Sequence, residues 1–177
     1  TGLHTIVSNT GTLFNIAAGT YSLWQGNTYA VGGALTFDKL TNSLDGPTNR
    51  GLDEEVCFYV SPGAWTDLMN EQAALRFYDK TYSSKETDNG FEGIKFHSQN
   101  GMVRIKPHIF VPEGFAYAFP VSRMQRLGAT DITFTVPGSD GKEFFYQLPG
   151  NAGYGIRCYT MQALFCETPA RATLLSG

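Results

Sequence analysis

Charge is what this sequence has least of. Only 16% of its 177 residues are Asp, Glu, Lys or Arg, against about 25% in an ordinary globular domain. Thirteen basic and sixteen acidic side chains leave a net charge of −3. That excludes the strongly basic footprint of a dedicated nucleic-acid binder. Histidine and cysteine are scarce too, at three each. They form no Cys-x-x-Cys or His-Glu-x-x-His spacing, so no regular metal-ligand set is readable. An odd number of cysteines leaves at least one unpaired. Cys158 and Cys166 fall in one expected strand, about 26 Å apart at ~3.3 Å per residue. That is too far for a disulfide unless the chain folds back between them. The apolar settings predict three buried, reduced thiols of a cytosolic protein. No run of 18 apolar residues is present, so no helix is expected to span a membrane. The chain starts at Thr1 without a leader-like segment, the expected mark of a piece of something longer.

Aromatic residues, by contrast, make up 14% of the chain and hydrophobic residues 42%. The length fits one domain, able to bury about 70% of its unfolded surface without a metal or disulfide. Few charges and many aromatics together suggest surface that is covered by something else.

The first thirty residues, rich in Gly, Thr and Asn, read as loops and short strands packed on the rest. A first helix is expected over Phe37 to Leu44. Thr36 can cap it, Leu35 and Leu40 can form a hydrophobic staple, and Asp45-Gly46-Pro47 stops it. Glu55 to Val60 alternates as a strand. Ser61-Pro62 then pairs a capping hydroxyl with a proline at the first helical position. A second helix follows to about Tyr78, with Trp65, Leu68, Met69 and Leu75 on its buried side. Lys80 to Gly93 reads as a long exposed loop or hairpin.

The rest reads as β structure. Met102 to Val111 alternates, with Val103, Ile105, Ile109 and Val111 on one face and Arg104, Lys106 and His108 on the other. Pro107 within that run predicts an edge position or a bulge. Val111-Pro112-Glu113-Gly114 is a turn, with Gly114 free to take a positive φ. Phe115, Tyr117 and Phe119 then oppose Ala116 and Ala118. A helical turn is expected over Arg123 to Leu127, then strands over Ile132–Val136 and Phe144–Leu148, separated by a turn at Pro137–Lys142. A final strand from Tyr154 to Glu167, apolar on both faces, is expected to be central in a sheet. The fold class is α+β, a mostly antiparallel sheet with two main helices.

Candidate chemistry is thin. No cysteine sits on a Gly-rich turn or a helix start, where a thiol becomes reactive, and His4, His97 and His108 are scattered. No Gly-x-Ser-x-Gly elbow is present, and Pro62 removes the amide that an oxyanion hole beside Ser61 would use. Asp53-Glu54-Glu55 is the densest acidic cluster, expected to solvate the start of a strand. Gly150-Asn151-Ala152-Gly153-Tyr154-Gly155 leads into a strand rather than a helix, which is the wrong context for a phosphate loop. Arg104, Lys106 and His108 read as a solvated or salt-bridged face, not a specific nucleic-acid site. No catalytic, cofactor-binding or metal-binding residue is therefore named.

A family resemblance lies in the order of motifs. Strand 55–60 followed by Ser61-Pro62-Gly63-Ala64-Trp65 resembles the strand–Ser-Pro–helix unit of tailed-phage major capsid proteins. Gly101-Met102-Val103-Arg104-Ile105 with Val111-Pro112-Glu113-Gly114 is similar to that family's strand and Pro-Glu-Gly turn. Arg126-Leu127-Gly128-Ala129-Thr130-Asp131 and Ile156 to Phe165 resemble its late segments. Gly2 to Val7, Trp24 to Asn27 and Leu35-Thr36-Phe37 also fit the pattern.

The resemblance implies a Hong Kong 97-type shell subunit of a phage or prophage, represented by its C-terminal part. It implies a peripheral-domain-like segment at 1–33, an axial-domain-like α+β region with returning peripheral strands at 34–165, and a C-terminal tail at 166–177. The family's N-terminal arm, extended loop and spine helix have no counterpart here, and no cross-linking residue is carried over. The implied role is structural, with no enzyme activity and no cofactor. Copies would close pentamers and hexamers of an icosahedral shell through heterologous contacts, in the virion and, during assembly, in the host cytoplasm. Scaffolding, portal or decoration proteins are the other implied partners, with packaged DNA met non-specifically and no membrane. Lys85, Glu86, Asp88, Asp140 and Lys142 are the expected subunit contacts. Two other classes stay open: a small cytosolic α+β enzyme or ligand-binding domain, and a phage tail or decoration protein.

Overall fold

The computed structural model describes residues 2–75, 93–99, 101–135 and 145–177, the side chains of 72–75 and 145–147 excepted. Its centre is β4 (Val56–Val60), continued by α4 (Pro62–Leu75). The six-stranded sheet also contains β3 (Asn27–Ala30), β5 (Ile94–Ser98), β6 (Gly101–Pro107), β7 (Phe115–Phe119) and β12 (Thr173–Ser176), in the order β3-β12-β7-β4-β6-β5. Pairs β12–β7, β4–β7 and β5–β6 are antiparallel; β12–β3 and β4–β6 are parallel. The fold is α+β, as expected.

Alternation along β4 sends Val56, Phe58 and Val60 to one face, where they meet Val103, Ile105, Ala116, Ala118 and Leu175 of neighbouring strands. Phe58 pairs in register with Ile105 on one side and Ala118 on the other. The small side chains of β7 leave room for its ring. This face is covered by α4, through Leu68, and by α2 (Phe37–Ser43), through Leu40. The Thr36 side chain accepts from the Lys39 amide at 3.4 Å, so it is the expected cap, with Leu35 and Leu40 both buried. The Glu71 carboxylate of α4 accepts from the Phe37 amide at 2.9 Å, a second cap that ties the two helices together.

The opposite face carries Tyr117, Phe119 and Leu174. They are closed off by Val7 of α1 (Leu3–Val7). A third cluster joins Ile6, Leu13, Trp24 and Cys166. Beside it, β1 (Thr12–Leu13) and β2 (Ile16–Ala17) form a hairpin. Its two turn residues, Phe14 and Asn15, take φ of 51° and 65°, the left-handed pair that a two-residue loop needs. Further on, β8 (Met124–Thr133) pairs with β11 (Tyr159–Cys166), and β9 (Phe145–Gln147) with β10 (Tyr154–Ile156), as two antiparallel ribbons.

Several expectations need correction. Asp45-Gly46-Pro47 ends α2 but starts α3 (Asp45–Asn49), because a proline in a first turn deprives no hydrogen bond. Pro107 is the last residue of β6, an inner strand rather than an edge strand. The chain turns after it, so Ile109 is 79% exposed instead of facing the core. The helical turn comes earlier, at Val121–Arg123, and 124–127 is already strand. The apolar run from Tyr154 to Glu167 is split into β10 and β11, each in a two-stranded ribbon and neither in the main sheet. Residues 166–177 are no tail, since β12 lies inside the sheet and bonds to strands on both sides. Residues 27–30, expected with the opening segment, belong to that same sheet.

Truncating Phe58 to Ala should cost about 3–5 kcal/mol of stability. Leu127→Ala on the ribbon should stay within about 0.5 kcal/mol. Urea unfolding of the two variants separates these outcomes.

Candidate functional site

The strand–helix junction at Ser61 is the most tightly organised polar spot on the helix-bearing face. Ser61 is buried, and its Oγ accepts from the Ala64 amide at 3.3 Å, the expected cap. The same hydroxyl donates to Glu113 Oε2 at 3.1 Å, while the Gly63 amide donates to Glu113 Oε1 at 3.4 Å. Gly114, at φ +81°, makes the turn that brings this carboxylate to the helix. A side chain on Gly63 would meet the Glu113 carboxylate at 2.7 Å, so the carboxylate would have to shift to keep its place beside the helix. A pocket of about 140 Å³ lies alongside, lined by Val31, Leu35, Ala64, Phe115 and Leu175. The positive end of α4 is thus occupied by the chain's own carboxylate. The Pro-Glu-Gly turn is a joint between elements.

On the other face a broader hollow of about 560 Å³ is lined by Glu54, Glu55, Cys57, Tyr59, Arg104, Lys106 and Ser122. Arg104 pairs with Glu55. Burial raises the Cys57 thiol above its ordinary range, and burial, then Cys57 beside it, pushes Tyr59 up to about 12. Both are protonated at neutral pH and are poor nucleophiles. Of the histidines, His4 Nδ1 lies 3.3 Å from the Tyr117 hydroxyl, and His108 Nδ1 accepts from the Phe110 amide at 3.3 Å. His97 is exposed. Among the described residues no cluster of His, Cys, Asp and Glu has the geometry of a metal site. The turn at 150–153 closes the β9–β10 ribbon, where the Leu148 amide donates to the Gly153 carbonyl at 3.0 Å.

Asp53, Glu54 and Glu55 do not simply solvate a strand. Each meets a guanidinium: Asp53 that of Arg171, Glu54 those of Arg123 and Arg171, and Glu55 that of Arg104. Cysteine also differs from expectation, because Cys158 is exposed while Cys57 and Cys166 are buried and unbridged. Its position ahead of β11, on the ribbon, leaves it outside every core cluster.

A further feature of the described residues is exposed apolar surface. On β8 and β11, Leu127, Ile132 and Met161 are 49%, 69% and 67% exposed. Tyr154 and Ile156 of β10 are exposed as well, and so are Ile109 and Phe110 after β6. A two-stranded ribbon with large apolar side chains in solvent is marginal by itself. Such patches mark surfaces that meet another protein. Lys85, Glu86, Asp88, Asp140 and Lys142, the expected contacts, lie outside the described residues. The apolar pattern of the ribbon reads as a buried strand in the sequence, whereas the structure leaves much of it in solvent. Its signal was apolar residues on both sides of a run that also holds Arg157, Thr160 and Gln162.

No family model matches the sequence, and no curated protein matches it either. The fold does have a solved counterpart. A chain of a virus-like particle from Pyrococcus furiosus superposes with a TM-score of 0.53 at 11% identity, over 98% of this chain and 60% of that one. The chain therefore shares the fold of that particle's chain and spans about 60% of its length.

Thiol titration of the native protein should show one fast-reacting equivalent, Cys158, with Cys57 and Cys166 reacting only on unfolding. Ser61→Ala should cost about 1–2 kcal/mol, since it removes the α4 cap and leaves Glu113 a partner short. A double-mutant cycle with Glu113→Gln measures how much of that loss the pair shares.

Proposed function

We propose that this chain is the C-terminal part of the major capsid protein of a tailed phage or prophage, with the Hong Kong 97-type fold. Its role is structural, and it catalyses no reaction. One observation carries the reading: nearly the whole chain shares its fold with a chain of a virus-like particle. The exposed apolar residues of the ribbons support it independently, as surface that neighbouring copies would cover.

In this reading copies associate head to tail around five-fold and six-fold axes, where heterologous contacts close into rings. The sheet and its helices form a rigid block, and the ribbons reach outward to neighbours. Lys85, Glu86, Asp88, Asp140 and Lys142 remain the proposed contacts nearest those axes. Scaffolding, portal or decoration proteins would meet the assembled rings, and a net charge of −3 fits only non-specific contact with packaged DNA. The protein would reside in the virion, after assembly in the host cytoplasm.

Electron microscopy of the full-length gene product, expressed alone, tests this directly. Closed shells or capsomer rings are the expected outcome, and soluble monomers would overturn the reading. Ile132→Asp with Met161→Asp should abolish assembly while leaving the urea midpoint of the unassembled protein nearly unchanged, because both side chains are already in solvent.

A further inference from the structure

The β8–β11 ribbon leaves the main sheet through residues 120–123 and returns through 167–172. Both crossings bind one carboxylate. Glu54, just ahead of β4, uses Oε1 to accept from Arg123 Nε at 2.6 Å and from Arg171 Nη1 at 2.9 Å. Its Oε2 accepts from the Ser122 hydroxyl. The crossings are also tied to each other: Arg123 Nη1 donates to Glu167 Oε2 at 3.1 Å, and Gln125 Nε2 to Glu167 Oε1 at 2.7 Å. Arg171 Nη1 reaches Asp53 at 3.0 Å as well. The Glu54 and Arg171 side chains are each only 21% exposed, so water weakens this network less than an ordinary surface pair.

We infer that this ring of charges is a joint that fixes the direction in which the ribbon leaves the sheet, with Glu54 as its pivot. Apolar contacts also hold the root of the ribbon, where Met124, Leu164, Phe165 and Cys166 pack against Ile6, Leu13 and Trp24. Such contacts are non-directional and tolerate rotation. Charge-assisted bonds to a planar guanidinium are directional and do not. The apolar cluster keeps the ribbon attached, and Glu54 sets its angle. The geometry alone carries this assignment, whether or not the chain builds a shell.

The joint has a defined acid limit. Glu54 faces Arg123 and Ser122 from the outgoing crossing and Arg171 from the returning one, with Glu167 linked to it through Arg123. Asp53 and Glu55 are its neighbours in the chain, and Arg104 and Lys106 stand across the hollow. The Arg123 and Ser122 hydrogen bonds hold the Glu54 carboxyl below the 4.5 of a free glutamate. The folded value is depressed, so the stabilisation is complete above the free-glutamate range and fades as pH falls through the lowered value.

The test uses the chain itself in solution, with nitroxides on exposed Cys158 and on Thr66→Cys of α4. Spin-echo spectroscopy reads the ribbon-to-helix distance distribution, and amide exchange reads protection in the strands. Glu54→Gln should broaden the distribution and speed exchange at the ribbon root about tenfold, with β4 and β7 protection unchanged. Arg123→Lys, which keeps the charge but loses the fork, should do the same to a smaller extent. An unchanged distribution in a folded Glu54→Gln protein overturns the inference. Loss of protection throughout the sheet in both variants also overturns it, because the ring would then support the whole fold and not the joint.

Discussion

β4 must be buried on both faces and paired along both edges, and the rest of the described fold is arranged to permit it. Its odd-numbered and even-numbered residues point into different surroundings, yet only Tyr59 among them stays partly open. Satisfying the strand's backbone groups requires β6 on one side and β7 on the other. The parallel β4–β6 pair in turn requires a crossover, which begins with α4. That helix is capped by Ser61, the residue after the strand, and starts at Pro62, so its first turn is fixed relative to the sheet. Glu113 then anchors the β6–β7 connection to the same turn.

Local chemistry of this kind was readable in advance. Thr36, Leu35 with Leu40, Ser61-Pro62 and Gly114 all do what their residue types imply, because each acts within a few residues of itself. The alternation of β4 and β7 was equally plain, since both strands are half of a two-faced sheet. The resemblance in motif order pointed to a shell-protein fold, and a chain of a virus-like particle shares the fold seen here.

What stayed hidden was set by partners distant in the chain. The last strand, β12, looks like a short tail until Asn27–Ala30 and Phe115–Phe119 are seen on either side of it. The acidic cluster looks solvated until Arg123 and Arg171 arrive from about 70 and 118 residues away. The ribbon was the hardest case. Apolar residues on both faces of a strand normally mean burial within the same chain, and here they remain in solvent among the described residues. Among the described residues, exposed apolar side chains lie on β8, β10, β11 and the turn after β6, and in the opening segment at residues 14–23.

The place of β12 also governs when the sheet can be completed. β3 bonds to the sheet only through β12, with Asn27 opposite Thr173. A nascent chain therefore carries β3 without a partner until nearly 150 further residues have been made. Pairings so far apart in sequence form late and slowly. The helix-bearing face of β7 is meanwhile open at its edge, a state in which unfinished copies can pair with each other. The main sheet is therefore closed only by pairings that span most of the described chain.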